Sequence, residues 1–127
     1  MKKTNKIKVG ISVGDLNGIG IEIILKSFED SRMLDFCTPV IFASSKVVSY
    51  HKKALNIGTN IHGIDQLSKI VHQKVNLLNV WKEIVDLELG TPTELSGTYA
   101  LKSLEKAVEA LDSGSIDVLV SAPIDKH

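Results

Sequence analysis

Two short stretches carry residue types suited to chemistry. The first runs Gly14-Asp15-Leu16-Asn17-Gly18-Ile19-Gly20-Ile21-Glu22. Glycines leave backbone N–H groups free to approach a ligand closely, because no Cβ stands in the way. A helix that opens directly after such a turn adds a partial positive charge at its amino end. Together these favour an anion such as a phosphate or a carboxylate. The spacing is neither the dinucleotide fingerprint G-x-G-x-x-G nor a phosphate-binding P-loop. Asp15 would repel a phosphate, so it suits turn N–H groups, or a ligand hydroxyl or amide. A tight strand-to-helix connection without any ligand explains the same residues. Glu22 falls in the first helical turn, where the dipole stabilises a carboxylate in either case.

The second stretch is Ser121-Ala122-Pro123-Ile124-Asp125-Lys126-His127. A lysine beside a rigid proline at a strand's carboxyl end can hold a phosphate or carboxylate, or shift the pKa of a bound group. A solvated loop lysine is the plain alternative. His51, His62, His72 and His127 have no metal-ligand spacing among themselves. His51 stands next to Lys52 and Lys53 and reads as a surface residue, while His62 and His72 read as loop residues. Cys37 is the only cysteine. It forms no intrachain disulfide and no CxxC pair. It precedes the apolar run Pro39–Phe42, which reads as a half-buried structural thiol. Tyr50, Trp81 and Tyr99 form no series and read as packing residues.

These stretches need a scaffold, and the composition supplies one. The chain has 127 residues, 43% hydrophobic and 24% charged, with fifteen basic and fifteen acidic side chains. That describes one modest globular domain with a small core. The charge balance gives no indication of a nucleic-acid or membrane partner, both of which favour a cationic face. No apolar run reaches bilayer length. Met1-Lys2-Lys3 resembles the start of a signal peptide, but Asp15 and Glu22 interrupt the apolar stretch that follows, so the segment reads as part of the fold. One cysteine suits a reducing cytoplasm.

Periodicity then places the elements. Lys8–Val13 predicts a buried strand with Val9, Ile11 and Val13 alternating. Ile21, Ile24, Leu25 and Phe28 predict a helix fading near Met33. Thr38–Ala43 predicts a strand covered on both faces. Ser44 or Ser45 caps a helix running to about Leu55, ended by Asn56–Gly58. Asn60–Ile64 and Val75–Val80 predict further strands, Ile84–Leu89 an exposed edge strand or a loop, and Thr91-Pro92-Thr93 a turn. Leu95–Ser113 predicts the strongest helix. Its expected buried stripe is Leu101, Leu104, Val108 and Leu111, with Ala100 and Ala107 filling close approaches, and ion pairs Lys102–Glu105 and Lys106–Glu109 on the wet side. Gly114 stops it, and Ile116–Val120 predicts another buried strand. The alternation of strands and helices predicts an α/β sheet with helical crossovers. Both chemistry-bearing stretches then leave strands at their carboxyl ends, where such sheets bind ligands.

Taken together, the two stretches resemble the 4-hydroxythreonine-4-phosphate dehydrogenases of pyridoxal phosphate biosynthesis. Gly14–Glu22 is similar to that family's Gly-Asp-Pro-Ala-Gly-Ile-Gly-Pro-Glu signature, and Ser121–Lys126 to its Thr-Ala-Pro-Ile-Asn-Lys segment. Ser96–Ala100 and Leu104–Val108 resemble the helix between them. Leu16, Asn17, Ile21 and Asp125 depart from the pattern, while the glycines, Asp15, Glu22 and Lys126 keep it. The resemblance implies the N-terminal α/β portion, over residues 1–127, of a larger two-domain enzyme. Its fold would be part of an isocitrate/isopropylmalate dehydrogenase-like sheet with helical crossovers. It further implies NAD-dependent oxidation, with decarboxylation, of 4-phosphooxy-L-threonine, a small phosphorylated substrate. A divalent metal would be bound by ligands beyond residue 127, in a cytoplasmic homodimer. Asp15 and Lys126 are then the expected catalytic residues, and Gly14, Gly18 and Gly20 the expected cofactor-binding ones. A related dehydrogenase of another phosphorylated hydroxy acid and a non-catalytic α/β assembly module are the alternatives.

Overall fold

The computed structural model describes residues 6–13, 20–81 and 94–121, without the side chains of 94–97. Among the described residues, five strands form one wholly parallel sheet: β1 (Ile7–Ser12), β2 (Cys37–Ala43), β3 (Ile61–Ile64), β4 (Val75–Asn79) and β5 (Val118–Ser121), in the spatial order β3-β4-β2-β1-β5. Among the same residues, three α-helices accompany it: α1 (Gly20–Ser27), α2 (Ser45–Leu55) and α3 (Glu94–Asp112). This is the expected α/β sheet with helical crossovers.

Alternation along each strand divides the core into two layers. Ile11, Val13, Ile41 and Leu77 face α1 and α2 and pack with Ile21, Ile24, Leu25, Val47 and Val48. Val40, Phe42 and Leu78 face the other way, onto Ala107, Ala110 and Ile116 at the α3 side. β2 is therefore covered on both faces, as its unbroken apolar run requires. The connection β1–α1–β2 and the connection β4–α3–β5 run in opposite directions across the sheet. Right-handed crossovers then put α1 and α3 on opposite faces, which is the division seen in the core.

Local chemistry sets the ends. Ser44 caps α2, its side chain accepting from the Lys46 amide, and Asn56 closes the helix at a left-handed φ of 54°. Gly114 takes φ 81° just past α3, a conformation glycine adopts without a steric penalty. α1 stops at Ser27 rather than fading near Met33. Asp30 accepts from the Arg32 amide and starts a separate 3-10 turn, Ser31–Asp35, in its place. The ion pair with Arg32 holds the Asp30 carboxyl below its ordinary range.

Other expectations need correction. α3 does not bury Leu101, Val108 and Leu111, which are exposed, and Leu104 is only half-buried. Its buried face is Ala100, Ser103, Ala107 and Ala110, small residues that let the helix lie close to the sheet. β5 is not a buried strand: Ile116, ahead of it, is buried, but Val118 and Val120 are exposed at the sheet's edge. His51 is fully buried, because it stands three and four residues beyond Val48 and Val47 on the inward face of α2. His62 lies in β3 rather than in a loop. Tyr50 is largely exposed, with its ring edge-on to His51. The segments 84–89 and 91–93 lie outside the described residues.

Candidate functional site

The strand order reverses direction between β1 and β5. From β1 the chain steps to β2 on one side, and through α3 it returns to β5 on the other. Such a reversal opens a crevice at the carboxyl ends of the two strands, since the crossovers on its two sides, through α1 and through α3, run over opposite faces of the sheet. Ser12 and Ser121 are register partners there. The Ser12 hydroxyl, fully buried, donates to the Ser121 oxygen over 3.2 Å. The two chemistry-bearing stretches continue from this one place. Residues 14–19 follow β1 and lead into α1, and residues 122–127 follow β5.

The floor of the crevice is held by α3. The Val13 amide donates to Ser103 Oγ at 2.9 Å, and the Ser103 hydroxyl donates to the Phe42 carbonyl at 2.5 Å. Ser103 is fully buried, so one hydroxyl satisfies two backbone groups that water cannot reach. This fixes the end of β1, from which the glycine-rich stretch departs. Sequence reasoning missed Ser103. Its signal is a polar residue in register with Ala100, Ala107 and Ala110, the small-residue stripe of α3. Trp81 and Tyr99, both buried, pack with their rings tilted by 46° and their centroids 4.7 Å apart, and close the same end of the molecule between β4 and α3. Lys102 lies 4.9 Å over the Tyr99 ring.

The neighbouring helix end is differently disposed. The Ser45 amide and hydroxyl both donate to Asn79 Oδ1, at 2.8 and 3.0 Å, and Ser44 takes the Lys46 amide. Two of the first amides of α2 are thereby satisfied by its own surroundings. Gly20, where α1 begins, is buried. Glu22 pairs with Lys26 at 2.8 Å along the outer side of α1, which raises the Lys26 pKa through that hydrogen bond. Of the residues expected to form the site, Gly20 is described. Gly14, Asp15, Gly18 and Lys126 lie outside the described residues.

The remaining candidates stand apart from this crevice. A cavity of about 370 Å³ opens at the opposite, amino edge of the sheet, between the end of α1 and the first residues of β3 and β4; Glu29, His62 and Lys74 line it. His72 is also at that edge, with its Nδ1 against the Thr38 hydroxyl. Neither lies at the strand-order reversal. Cys37 is half-buried at the start of β2. Burial pushes its thiol above the ordinary range, with the Lys6 charge opposing, so it behaves as a packing residue. Among the described residues no three His, Cys, Asp or Glu side chains gather into a metal site, and no helix is long and apolar enough to cross a membrane.

The model of the family described as "Pyridoxal phosphate biosynthetic protein PdxA" matches residues 35–127. The chain belongs to the PdxA family. A 4-hydroxythreonine-4-phosphate dehydrogenase of Bacteroides thetaiotaomicron is 43% identical over 97% of this chain and 34% of the relative. A Clostridium botulinum relative, provisionally named D-threonate 4-phosphate dehydrogenase, is 28% identical over 97% of this chain and 38% of its own. The chain thus spans about a third of the length of the curated relatives it matches. A crystal structure of a 4-hydroxythreonine-4-phosphate dehydrogenase from Burkholderia phymatum superposes with TM-score 0.86 at 24% identity, over 97% of this chain and 38% of that one. One from Klebsiella pneumoniae gives 0.80 at 20% identity, over 96% and 38%. These likenesses establish the fold: the PdxA sheet is of the isocitrate dehydrogenase-like α/β type.

Proposed function

We propose that residues 1–127 are the N-terminal α/β portion of a larger two-domain oxidoreductase. That enzyme oxidises the secondary hydroxyl of 4-phosphooxy-L-threonine with NAD, and the β-keto acid formed loses CO₂, a step of vitamin B6 (pyridoxine) biosynthesis. The observation that carries this reading is the strand-order reversal: two family-like loops leave adjacent, register-paired strand ends. On it, Gly14, Gly18 and Gly20 bring backbone N–H groups toward the cofactor. Asp15 hydrogen-bonds a hydroxyl or amide of the bound molecules. Lys126 holds the negative charge of the substrate or a proton at the reacting oxygen. Asp15 and Lys126 wall one cleft.

A divalent metal belongs to the proposed reaction, where it would polarise the reacting oxygen. The described residues of this chain do not fit that role, having no cluster of donors, and its ligands are expected beyond residue 127. A cytoplasmic homodimer completes the reading.

A second reading is favoured by one observation: a relative covering the same stretch carries the name of a D-threonate 4-phosphate dehydrogenase. Leu16 and Asn17 depart from the signature and leave room for such a difference. NADH formation by the full-length enzyme, supplied in turn with 4-phosphooxy-L-threonine and D-threonate 4-phosphate, decides between the two. Neither substrate turning over would sink both. Lys126→Met and Asp15→Asn are each expected to lower kcat/KM roughly 10- to 100-fold, the equivalent of one charge-assisted hydrogen bond.

A further inference from the structure

The cavity of about 370 Å³ at the amino edge of the sheet lies at the other ends of the strands from the reversal. Its volume falls within the range of small-molecule sites, roughly 300–1,000 Å³. One wall comes from residues that follow α1, among them Phe28, Glu29 and Leu34. The facing wall comes from the entries into β3 and β4, with His62, Lys74 and Val75. The two walls are tied to each other. The buried Thr59 hydroxyl donates to the Leu25 carbonyl at 2.6 Å, and the Gly58 amide donates to Glu29 Oε2 at 3.4 Å. Lys6 Nζ donates to the Leu34 carbonyl at 2.8 Å and anchors the 3-10 turn. A cavity held open in this way needs little further ordering when a ligand enters.

Charge divides along the same line. Glu29 stands on the helix wall, where the carboxyl end of α1 adds partial negative charge. Lys74 stands on the strand wall together with His62, half-buried in β3. Among the described residues, no ion pair joins Glu29 to Lys74, or either of them to another side chain. Both line one cavity without meeting, so both are open to a ligand. Leu34 and Val75, both buried, give the cavity an apolar floor. Gln73, beside Lys74 and also in the lining, holds a left-handed φ of 69°, uncommon for a residue with a Cβ. Such backbone is concentrated at ligand clamps and switch regions.

We infer that this cavity binds a small zwitterion that carries its two charges at opposite ends. The ammonium group sits at Glu29, the carboxylate at Lys74 and His62, and the aliphatic body covers Leu34 and Val75. Each end then makes a charge-assisted hydrogen bond, the stronger kind, and the body leaves water. The ligand class follows from the walls. An anion alone would meet Glu29 unpaired, and a cation alone would meet Lys74. A molecule with both charges on one carbon serves only one wall at a time. The site is separate from the crevice at the strand-order reversal, so the inference does not rest on the reaction proposed above.

Ligand-observed NMR titration of the full-length enzyme tests this, with δ-aminovalerate and its isomer norvaline as probes. The two hold the same atoms, but norvaline carries both charges on one carbon. δ-Aminovalerate is expected to bind saturably in the millimolar range, about ten-fold more tightly than norvaline, valerate or pentylamine, the difference made by one charge-assisted hydrogen bond. Glu29→Gln is expected to reduce its affinity to that of valerate, and Lys74→Met to that of pentylamine. Lys106→Met makes the same change of charge on α3, where Lys106 pairs with Glu109, and is expected to leave binding unchanged. Urea midpoints equal to the parent's show that the variants are folded. Absence of saturable binding by δ-aminovalerate would overturn the inference. Norvaline or valerate binding as tightly as δ-aminovalerate would do the same, because the facing walls would then not act together. An equal loss in Lys106→Met would also overturn it, since net charge and not the cavity would be responsible.

Discussion

Ser103 is small enough to let α3 approach the sheet and polar enough to close two backbone groups at once. Deleting its hydroxyl orphans the buried Val13 amide and the Phe42 carbonyl together. Leaving such groups unsatisfied costs about 1–3 kcal/mol. Ser103→Ala is therefore expected to lower the unfolding free energy by that amount, read as a lower urea midpoint with an unchanged slope, and a midpoint equal to the parent's would show that the two bonds contribute nothing. Cys37 offers a test of a different kind. Burial holds its thiol above the ordinary range, and only the thiolate attacks alkylating reagents. At neutral pH the folded chain should thus react more slowly than the urea-unfolded chain, and its rate should go on rising above the pH at which the unfolded rate levels off. The sign for stability follows: the fold favours the neutral thiol, so this contribution is present below the unfolded thiol's pKa and is lost as pH rises through the folded one. Equal rates for folded and unfolded chains would contradict the assignment.

At the scale of elements, the crossing of β1 beneath α3 depends on Gly10. A Cβ built there falls well inside contact distance of Ile116 Cδ1 and 3.0 Å from Phe42 Cε2. Both neighbours are buried, so neither gives way freely. Gly10→Ala is expected to destabilise by about 1–3 kcal/mol. Ile116→Val removes the methyl that clashes, so the double variant should recover part of the loss, a positive coupling in a double-mutant cycle. Strict additivity would mean that the two side chains do not meet. The same elements show what the sequence could reveal. The alternation in Val9, Ile11 and Val13, the cap at Ser44 and the stops at Asn56 and Gly114 are local signals, and the structure follows them to within a residue or two. The inward face of α3 is not a local matter. Leu101, Leu104, Val108 and Leu111 are the larger apolar residues and so present themselves as the core, whereas close approach to a sheet selects Ala100, Ser103, Ala107 and Ala110. Lys52 and Lys53 likewise mask the inward placement of His51, which only its spacing from Val47 and Val48 discloses. At the candidate site, the glycine-rich stretch and Lys126 stand out by residue type, though of these expected residues only Gly20 lies among the described ones. That their two stretches begin side by side could not be read from order along the chain, because it depends on α3 carrying the chain across β2 and β1 to reach β5.

For the molecule as a whole, the reversal of strand order supplies one wall of a cleft, and a cleft needs two. An enzyme that moves hydride must hold the reacting carbon, the cofactor and any Lewis acid within a fraction of an ångström of their reactive positions, and this positioning is a large part of the rate enhancement. The chain spans about a third of its curated relatives, and its described residues gather no metal-binding cluster. On the proposed reading, the 127 residues alone, given NAD, a divalent metal and 4-phosphooxy-L-threonine, are expected to form no NADH above the blank. The full-length enzyme under the same conditions should form it at a rate that saturates with substrate. NADH production by the 127 residues alone, abolished by Lys126→Met, would place the whole reacting assembly within this one layer of sheet and helices. It would also remove the need for a second domain to complete the cleft.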